Sequence, residues 1–293
     1  MLTIGVDVGG TSIKCALIEV GEAQNADTYK ILKFASIPSQ ASGGRDVVVA
    51  NIIKSIERFR WQDCEVIAVA TAGTVDWDSG EIVYATSTIP NYTGTKLSKI
   101  LSQHFGKRVV VVNDAVGALI GESFMGAGKR AESIIMFTIG TGLGASFLSG
   151  KNLDSNCVVD TALGHFILHE DGRQCTCGKR GCAEQYVSAT ALKRYGNENL
   201  YHFFHSSDVL HKKVLLDFYK DLSSVIARSI ELYNPSLIII GGGVIEMAEY
   251  WWQKFLKEYK SGNSTPIARA SLGNKAGAIG SVYAGLNGFF KNQ

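Results

Sequence analysis

Short apolar runs and segments with helical spacing alternate along this chain. Buried strands are predicted where apolar residues run together, over residues 2–8, 13–20, 65–71, 108–112, 133–139, 145–150 and 237–240. Helices are predicted where apolar residues recur at helical spacing, over residues 45–60, 96–105, 115–124, 184–196, 208–233 and 275–286. Glycine is concentrated in a few turns between these elements, so we look for the chemistry in the turns.

Two glycine-rich turns each join a pair of predicted strands. In the first, Asp7 ends one strand and Gly9-Gly10-Thr11 leads into the next. Exposed backbone amides, a carboxylate and a hydroxyl suit a nucleotide phosphate with its Mg²⁺. One such turn could be an ordinary hairpin, but the turn at residues 140–144 repeats the arrangement in the second half of the chain. Together the turns predict a duplicated fold that grips a polyphosphate from both sides.

Four metal-binding side chains are clustered within a short span. His165, Cys175, Cys177 and Cys182 form the pattern H-x9-C-x-C-x4-C, and glycines fall between them. Any one of them alone would be a core histidine or a buried thiol, and Cys175 and Cys177 are too close in sequence for an easy disulfide. Three thiolates and one imidazole are the ligands of a closed, tetrahedral zinc site, so we predict structural zinc.

Weaker signals lie in three more turns. Asp114 follows the strand at 108–112, where open α/β sheets place their ligands and where an Asp also caps a helix; both roles can hold together. The hydroxyls of residues 86–88 could face a substrate or belong to a plain exposed loop. Asp78-Ser79-Gly80 predicts the turn of a hairpin.

Composition narrows the class of protein. The chain has 293 residues, 46% of them hydrophobic and 19% charged, with a net charge of +2. These values are typical of a globular protein of two domains or one large domain, and they favour neither a nucleic-acid nor a membrane partner. The remaining cysteines, Cys15, Cys64 and Cys157, are predicted to be small buried apolar residues. Without a signal peptide or a membrane-spanning run, we expect a cytoplasmic, enzyme-like protein.

Nearly end to end, the chain resembles the ROK family of sugar kinases. The motifs that carry the resemblance are Asp7-x-Gly9-Gly10-Thr11, Asn113-Asp114, Gly140-Thr141-Gly142-x-Gly144, Gly164-His165, Cys175-x-Cys177-Gly178-x-x-Gly181-Cys182-x-Glu184 and Gly241-Gly242-Gly243. The family has the actin/sugar-kinase (ribonuclease H-like) fold, with two α/β domains around a cleft. The resemblance therefore implies a small domain at 1–115, completed by the C-terminal helix at about 281–293, and a larger domain at 116–280 that carries the zinc loop.

Individual roles follow from the same resemblance. Asp114 would be the general base that accepts the proton of the sugar hydroxyl. The residues implied to surround the sugar are Gly73, Thr74, Thr86, Asn113, Asp114, His165 and Glu184. The residues implied to bind ATP and Mg²⁺ are Asp7, Gly9, Gly10, Thr11, Gly140, Thr141, Gly142, Gly241, Gly242 and Gly243. His165, Cys175, Cys177 and Cys182 would hold a structural Zn²⁺ that orders the loop carrying Glu184.

The chain departs from the family at one position. The usual E-x-G-H has become Ala162-Leu163-Gly164-His165, so the carboxylate expected near O1 and O2 of the sugar is absent. Its loss should weaken the binding of a free hexose and leave room for a substituent. We therefore expect ATP-dependent phosphorylation of the 6-hydroxyl of a β-glucoside or another substituted hexose, with a glucokinase or an N-acetylmannosamine kinase as the competing functions.

Two different classes of protein fit the sequence less well. A catalytically silent sugar sensor would need neither Asp114 nor both phosphate turns, and the zinc stretch argues against a general actin-like ATPase. Family repressors carry an N-terminal helix-turn-helix, which we do not expect because the chain begins directly with its first strand. The resemblance also implies a homodimer, with a sugar and ATP as its small-molecule partners.

Overall fold

The computed structural model describes residues 1–150, 158–195 and 200–287. Its strands are β1 (Leu2–Val8), β2 (Ser12–Val20), β3 (Tyr29–Pro38), β4 (Val66–Thr71), β5 (Thr74–Asp76), β6 (Glu81–Tyr84), β7 (Arg108–Asn113), β8 (Ser133–Ile139), β9 (Leu143–Ser149), β10 (Val158–Asp160), β11 (Leu237–Gly241) and β12 (Ile267–Arg269). Its helices are α1 (Arg45–Glu57), α2 (Leu97–Phe105), α3 (Asp114–Met125), α4 (Ala189–Lys193), α5 (Leu200–His205), α6 (Val209–Tyr233), α7 (Ala248–Lys260) and α8 (Ala276–Leu286).

Two five-stranded sheets of the same design form the framework. The first has the strand order β3-β2-β1-β4-β7 and the second has the order β10-β9-β8-β11-β12. In each sheet the central strand pairs antiparallel with the strand that follows it and parallel with the strand on its other side. The duplicated α/β fold that the two glycine-rich turns predicted is confirmed.

Helices α3 and α8 lie between the two sheets. One core cluster joins Val112 of the first sheet, Val116 of α3 and Met136 of the second sheet. The two helices cross closely enough that a Cβ on Gly280 would lie 1.8 Å from the carbonyl oxygen of Gly117. Only glycine permits so close an approach of two backbones, so this crossing fixes how the halves of the molecule pack together.

The prediction of one helix over residues 184–196 is wrong. The chain first makes a tight 3₁₀ turn at Ala183–Gln185, directly after Cys182. The helix α4 then begins at Ala189, and the Ser188 hydroxyl caps it by accepting a hydrogen bond from the amide of Ala191 at 3.1 Å. The buried Ala183 and Val187 have helical spacing although they belong to the turn region. The last residue of that prediction, residue 196, lies outside the described residues.

The described part of the C-terminal helix packs against the first sheet. Ala278, Ile279 and Val282 of α8 share a core cluster with Ala16 and Ile18 of β2. This packing supports, as a proposal, the division into a domain at 1–115 completed by the C-terminal helix and a domain at 116–280. Residues 288–293 of that helix prediction lie outside the described part of the chain.

Two remaining predictions concern burial. Cys15 and Cys64 are buried as expected, each 1% exposed, whereas Cys157 lies outside the described residues. Within residues 1–150, 158–195 and 200–287, every helix is too short or too polar to cross a bilayer.

Candidate active site

Polar side chains gather where the parallel strands of the first sheet end. Thr71 at the end of β4 pairs with Val8 of β1 on one side and with Asn113 of β7 on the other. Asp114 follows at once as the first residue of α3, and its Oδ1 accepts a hydrogen bond from the amide of Ala115 at 2.9 Å. Asp114 therefore combines both predicted positions, at the ligand-binding edge of an α/β sheet and at the start of a helix.

Asn113 is held by the backbone on two sides. Its Oδ1 accepts a hydrogen bond from the amide of Val116 at 3.0 Å and so caps α3, while its Nδ2 donates to the carbonyl of Gly73 at 2.9 Å. The residue is only 7% exposed. Because both polar groups are engaged, Asn113 fixes the positions of Asp114 and of the Gly73 turn; its contact with a sugar hydroxyl stays a prediction.

A buried pair of hydroxyls lies close to Asp114. The hydroxyls of Thr71 and Tyr92 are 2.8 Å apart, and both side chains are fully buried. Burial raises the pKa of Tyr92 to about 12, and the negative charge of Asp114 acts in the same direction. Tyr92 is therefore neutral at physiological pH and supports the edge of the site without titrating.

The first glycine turn is stabilised within its own hairpin. The amide of Gly9 donates to the carbonyl of Ser12 at 3.0 Å. Next to the turn, Lys14 Nζ donates to Asp7 Oδ2 at 3.1 Å, and the two residues are cross-strand partners. On the other side, a Cβ on Gly277 of α8 would lie 2.8 Å from Asp7 Cγ. The carboxylate of Asp7 is thus fixed at the edge of the cleft, where its predicted Mg²⁺ ligation stays a prediction.

The two glycine turns meet. The hydroxyls of Thr11 and Thr141 are 3.1 Å apart, although 130 residues separate them in the chain. The second turn also adjoins the start of α3, because a Cβ on Gly144 would lie 3.1 Å from the Cβ of Ala115. The folded chain therefore brings both predicted phosphate turns to the place where Asp114 begins its helix.

Two of the amides predicted to bind phosphate are already used inside the turns. Gly9 donates as described above, and the amide of Gly140 donates to the carbonyl of Gly142 at 2.9 Å. Phosphate binding by these amides would need the turns to rearrange, so the role falls first to the remaining backbone groups of the turns and to the two threonine hydroxyls.

The third glycine segment lies beside the second turn. Gly241 is the parallel partner of Thr138 on β8. Gly242 has a φ of +87°, and a Cβ on it would lie 2.5 Å from the carbonyl oxygen of Ile139, while the corresponding position at Gly243 is open. Backbone thus packs directly on backbone here, next to the Gly140 turn, and the adenosine contact predicted for residues 241–243 stays a prediction.

The four predicted zinc ligands come together. The donor atoms of His165, Cys175, Cys177 and Cys182 all lie within 4.8 Å of one another. His165 Nδ1 is 3.6 Å from Cys175 Sγ, and Cys177 Sγ is 3.6 Å from Cys182 Sγ. Donor spacings of roughly 3.3 to 3.8 Å are what tetrahedral zinc requires with bonds of about 2.0 to 2.3 Å.

The chemistry of this cluster also fits zinc. Burial, reinforced by the neighbouring thiols, raises the pKa of Cys182 to about 12, so this thiol ionises at neutral pH only beside a cation. Tight turns bring the ligands together: Gly181 has a φ of +76°, and a Cβ on it would lie 1.7 Å from the carbonyl oxygen of His169. Only glycine fits there.

Glu184 joins the zinc loop to the second glycine turn. Its Oε2 accepts a hydrogen bond from the amide of Leu143 at 3.0 Å, and a Cβ on Gly142 would lie 2.2 Å from the same oxygen. Farther along, Ala189 donates its amide to Gly140 O at 2.8 Å and Thr190 donates its hydroxyl to Thr141 O at 2.6 Å. The segment that follows the zinc ligands therefore supports the second turn from outside; the sugar contact predicted for Glu184 stays a prediction.

The remaining predicted sugar contacts lie along one edge. Gly73 is fixed by Asn113, and Thr74 is exposed at the start of β5. Thr86 donates its hydroxyl to Thr88 Oγ1 at 3.1 Å, and a Cβ on Gly10 would lie 3.5 Å from the methyl group of Thr88. The loop at 86–88 therefore runs from the Gly73 turn to the first glycine turn and lines the space between them.

Three residues of this site were missed at the sequence level. Lys14 could have been found from hairpin register, because it is symmetrically opposite Asp7 about the glycine turn. Tyr92 and Thr190 have no local signal: each acts through a contact with a residue that is distant in the chain.

Comparisons with known proteins agree with this geometry. The family model described as "ROK family" matches residues 3–285. A glucokinase of Thermotoga maritima is 29% identical over 272 residues, covering 84% of this chain and 83% of the relative. The crystal structure of a ROK family glucokinase from Streptomyces griseus, in complex with glucose and AMPPNP, superposes with a TM-score of 0.82 at 27% identity, covering 96% of this chain and 98% of that one.

Two α/β halves of the same design, closing on a cleft, define the actin/sugar-kinase fold that the resemblance implied. Within that class, the chain belongs to the ROK family.

Proposed function

We propose that this chain, an ATP-dependent carbohydrate kinase of the ROK family, transfers the γ-phosphate of ATP to the 6-hydroxyl of a substituted hexose, in the simplest case a β-glucoside. The observation that carries the proposal is the contact of the two glycine turns, through Thr11 and Thr141, beside the start of α3. A polyphosphate held by both turns would present its terminal phosphoryl group to a hydroxyl next to Asp114.

Asp114 is proposed to act as the general base. Its carboxylate accepts the proton of the sugar 6-hydroxyl as that oxygen bonds to the γ-phosphorus. The bond between the γ-phosphorus and the β–γ bridging oxygen breaks, and ADP leaves. Asn113 keeps Asp114 in place by capping α3, and it also holds the Gly73 turn. The base is therefore fixed relative to the sugar-binding edge, which is the edge formed by Gly73 and Asn113.

Two metal sites belong to the proposal. His165, Cys175, Cys177 and Cys182 would hold zinc, and Asp7 would hold the nucleotide's Mg²⁺. When bound, zinc supplies structural order and Mg²⁺ supplies charge neutralisation at the phosphates. His165 faces the thiols of the cluster with its Nδ1. Its second ring nitrogen, Nε2, is therefore left to donate toward a sugar hydroxyl.

The preference for a substituted sugar rests on Ala162. The residue adopts a left-handed conformation, with a φ of +50°, immediately before the segment Leu163–His165. A methyl group there neither accepts a hydrogen bond from a free anomeric hydroxyl nor fills the space of the family's glutamate. A substituent on O1 is therefore the better match for this position.

A panel of sugars with coupled detection of ADP release tests the proposal. Glucose, N-acetylmannosamine and phenyl β-D-glucopyranoside should be compared by kcat/KM, and NMR of the product should locate the phosphate on C6. We expect the glucoside to be preferred, and Ala162→Glu to shift the preference toward glucose. A wild-type enzyme that phosphorylates free glucose far better than any substituted sugar would contradict the substituted-hexose preference and identify a glucokinase.

Two further results of the same panel would assign a different function. Preferred turnover of N-acetylmannosamine would make the protein an N-acetylmannosamine kinase. Sugar binding without ADP release would indicate a silent sensor. The homodimer implied by the family is also a proposal, which light scattering coupled to size-exclusion chromatography would test.

A further inference from the structure

An exposed aromatic side chain lies on the hairpin next to the sugar-binding edge. Tyr84 is 48% exposed. It is the cross-strand partner of Thr74, and the next pair along the hairpin, Val75 with Ile82, is buried. Cross-strand partners present their side chains on the same face, so Tyr84 shares the outer face of the hairpin with Thr74.

The backbone of Tyr84 connects to Asp114 in two steps. A Cβ on Gly73 would lie 2.8 Å from the carbonyl oxygen of Tyr84, and the carbonyl of Gly73 accepts the hydrogen bond from Asn113, the residue before Asp114. Immediately after Tyr84, the amide of Ala85 donates to the Thr93 hydroxyl at 2.9 Å. Both the strand end and the loop that leaves it are thus fixed, so the ring is presented from a rigid base at the rim of the cleft.

The local backbone is irregular at this point. The pairing of β5 with β6 shifts register between Thr74 and Val75, which leaves Val83 as an extra residue that is 49% exposed. Such bulges re-aim the side chains beside active sites. Two adjacent large apolar side chains that stay half exposed at the rim of a ligand cleft mark a surface suited to an apolar group of a ligand.

We propose that Tyr84 is a stacking platform for the substituent on O1 of the substrate, an aromatic aglycone or the apolar face of a second sugar ring. The proposal rests on the proposed function, because it assumes that the sugar ring occupies the edge formed by Gly73 and Asn113. In this proposal the substituent leaves the cleft through the space that Ala162 keeps open and lies against the Tyr84 ring. Since this contact is remote from the phosphoryl group, it strengthens binding of substrate and transition state equally and acts on KM and not on kcat.

Two substitutions at Tyr84 and a matched control test the platform. For phenyl β-D-glucopyranoside, Tyr84→Ala should raise KM about five- to tenfold with kcat unchanged, the size expected for loss of one aromatic contact. KM for glucose should change less than about twofold, because glucose has no substituent to stack. Tyr84→Phe should behave as wild type. Tyr201→Ala removes a second tyrosine that is 48% exposed, on α5, and should change neither KM.

Equal effects of Tyr84→Ala on both sugars, or no effect on either, would overturn the platform. Calorimetric binding of the two sugars without ATP separates this result from failure of the proposed function. If no sugar is phosphorylated, the kinase proposal fails, yet weaker glucoside binding by Tyr84→Ala alone would still support the platform. A wild-type protein that does not bind the phenyl glucoside overturns it.

Discussion

The two glycine turns have the same place in two equivalent sheets, but they are stabilised differently. The first is held within its own sheet, by the Gly9 to Ser12 hydrogen bond, by the Lys14–Asp7 ion pair and by the Ser39 amide, which donates to Thr11 O at 3.0 Å. The second has its own internal hydrogen bond, from Gly140 to Gly142, and is held in addition from outside its sheet, by Glu184 and by the two residues at the start of α4, Ala189 and Thr190. One predicted phosphate turn thus depends on its own sheet, and the second depends in addition on a segment that follows the predicted zinc ligands.

This difference links the predicted zinc loop to the second glycine turn. Arg173, within the loop, stacks on Tyr186 at 4.4 Å from the ring centroid and donates to Gln185 O at 2.6 Å, so the loop contacts the segment after it directly. Glu184 lies in the middle of that segment. Disorder in the metal cluster should therefore reach the second turn and leave the first one in place.

The largest effect is expected at Asp114, because both glycine turns lie beside the start of its helix. Asp114→Asn retains an oxygen that can accept the Ala115 hydrogen bond, so α3 should stay intact while the base is lost. We expect kcat to fall by about 10² to 10⁴, with KM for ATP nearly unchanged. The coupled ADP assay measures both. Asp27→Asn, at a side chain that is 91% exposed, is the control and should be silent. Undiminished phosphorylation by Asp114→Asn would exclude Asp114 as the general base.

The elements that sequence predicted are those with a strong local pattern. The central strands of both sheets and the long α6 follow from buried runs and helical spacing. The strands β3, β10 and β12 were not predicted, because they lie at sheet edges: β3 has one buried residue in ten, and the two remaining strands are three residues long. Such edges have little hydrophobic signal, and pairing with a neighbouring strand defines them.

The residues of the candidate site divide in the same way, into those that a local motif predicts and those that only the folded chain reveals. The His/Cys cluster predicted to bind zinc and the glycine turns could be named from sequence because each is a short motif with its own chemistry. The partner of Glu184 could not, since its contact with Leu143 spans 41 residues and is made through a backbone amide that any residue would supply. The support of the second turn is a tertiary property.

The next largest effect tests whether the metal supports only the second turn. Cys177→Ser, at the least buried cysteine ligand, should remove zinc and lower activity by about tenfold to a hundredfold. Hydrogen exchange should accelerate in β9 and α4 and stay unchanged in β1 and β2. Cys64→Ser alters a buried thiol of the first half and should leave the zinc content intact. A zinc-free protein with normal turnover, or equal acceleration in both halves, would contradict the asymmetry.

A smaller effect distinguishes the two roles proposed for Glu184, which are support of the second glycine turn and contact with the sugar. Glu184→Ala removes the acceptor for the Leu143 amide, a partly buried hydrogen bond to a charged group worth about 1 to 2 kcal/mol, and should raise KM for ATP about five- to tenfold. Glu184→Gln keeps an oxygen acceptor and should raise it less than about threefold. Steady-state kinetics with each substrate varied distinguishes the roles: a rise confined to KM for the sugar would show that Glu184 contacts the sugar and does not support the turn.

The smallest effect concerns the contact between the turns themselves. Thr11→Val and Thr141→Val each remove one hydroxyl of the 3.1 Å pair with little change in volume. A double-mutant cycle on thermal unfolding should give a coupling of about 0.5 kcal/mol without nucleotide, because the pair is exposed. If phosphate oxygens enter between the turns, each hydroxyl turns to the phosphate, and the coupling should vanish with a saturating non-hydrolysable ATP analogue. A coupling that persists would mean that the threonines stay bonded to each other, and that neither turn uses its hydroxyl to bind the nucleotide.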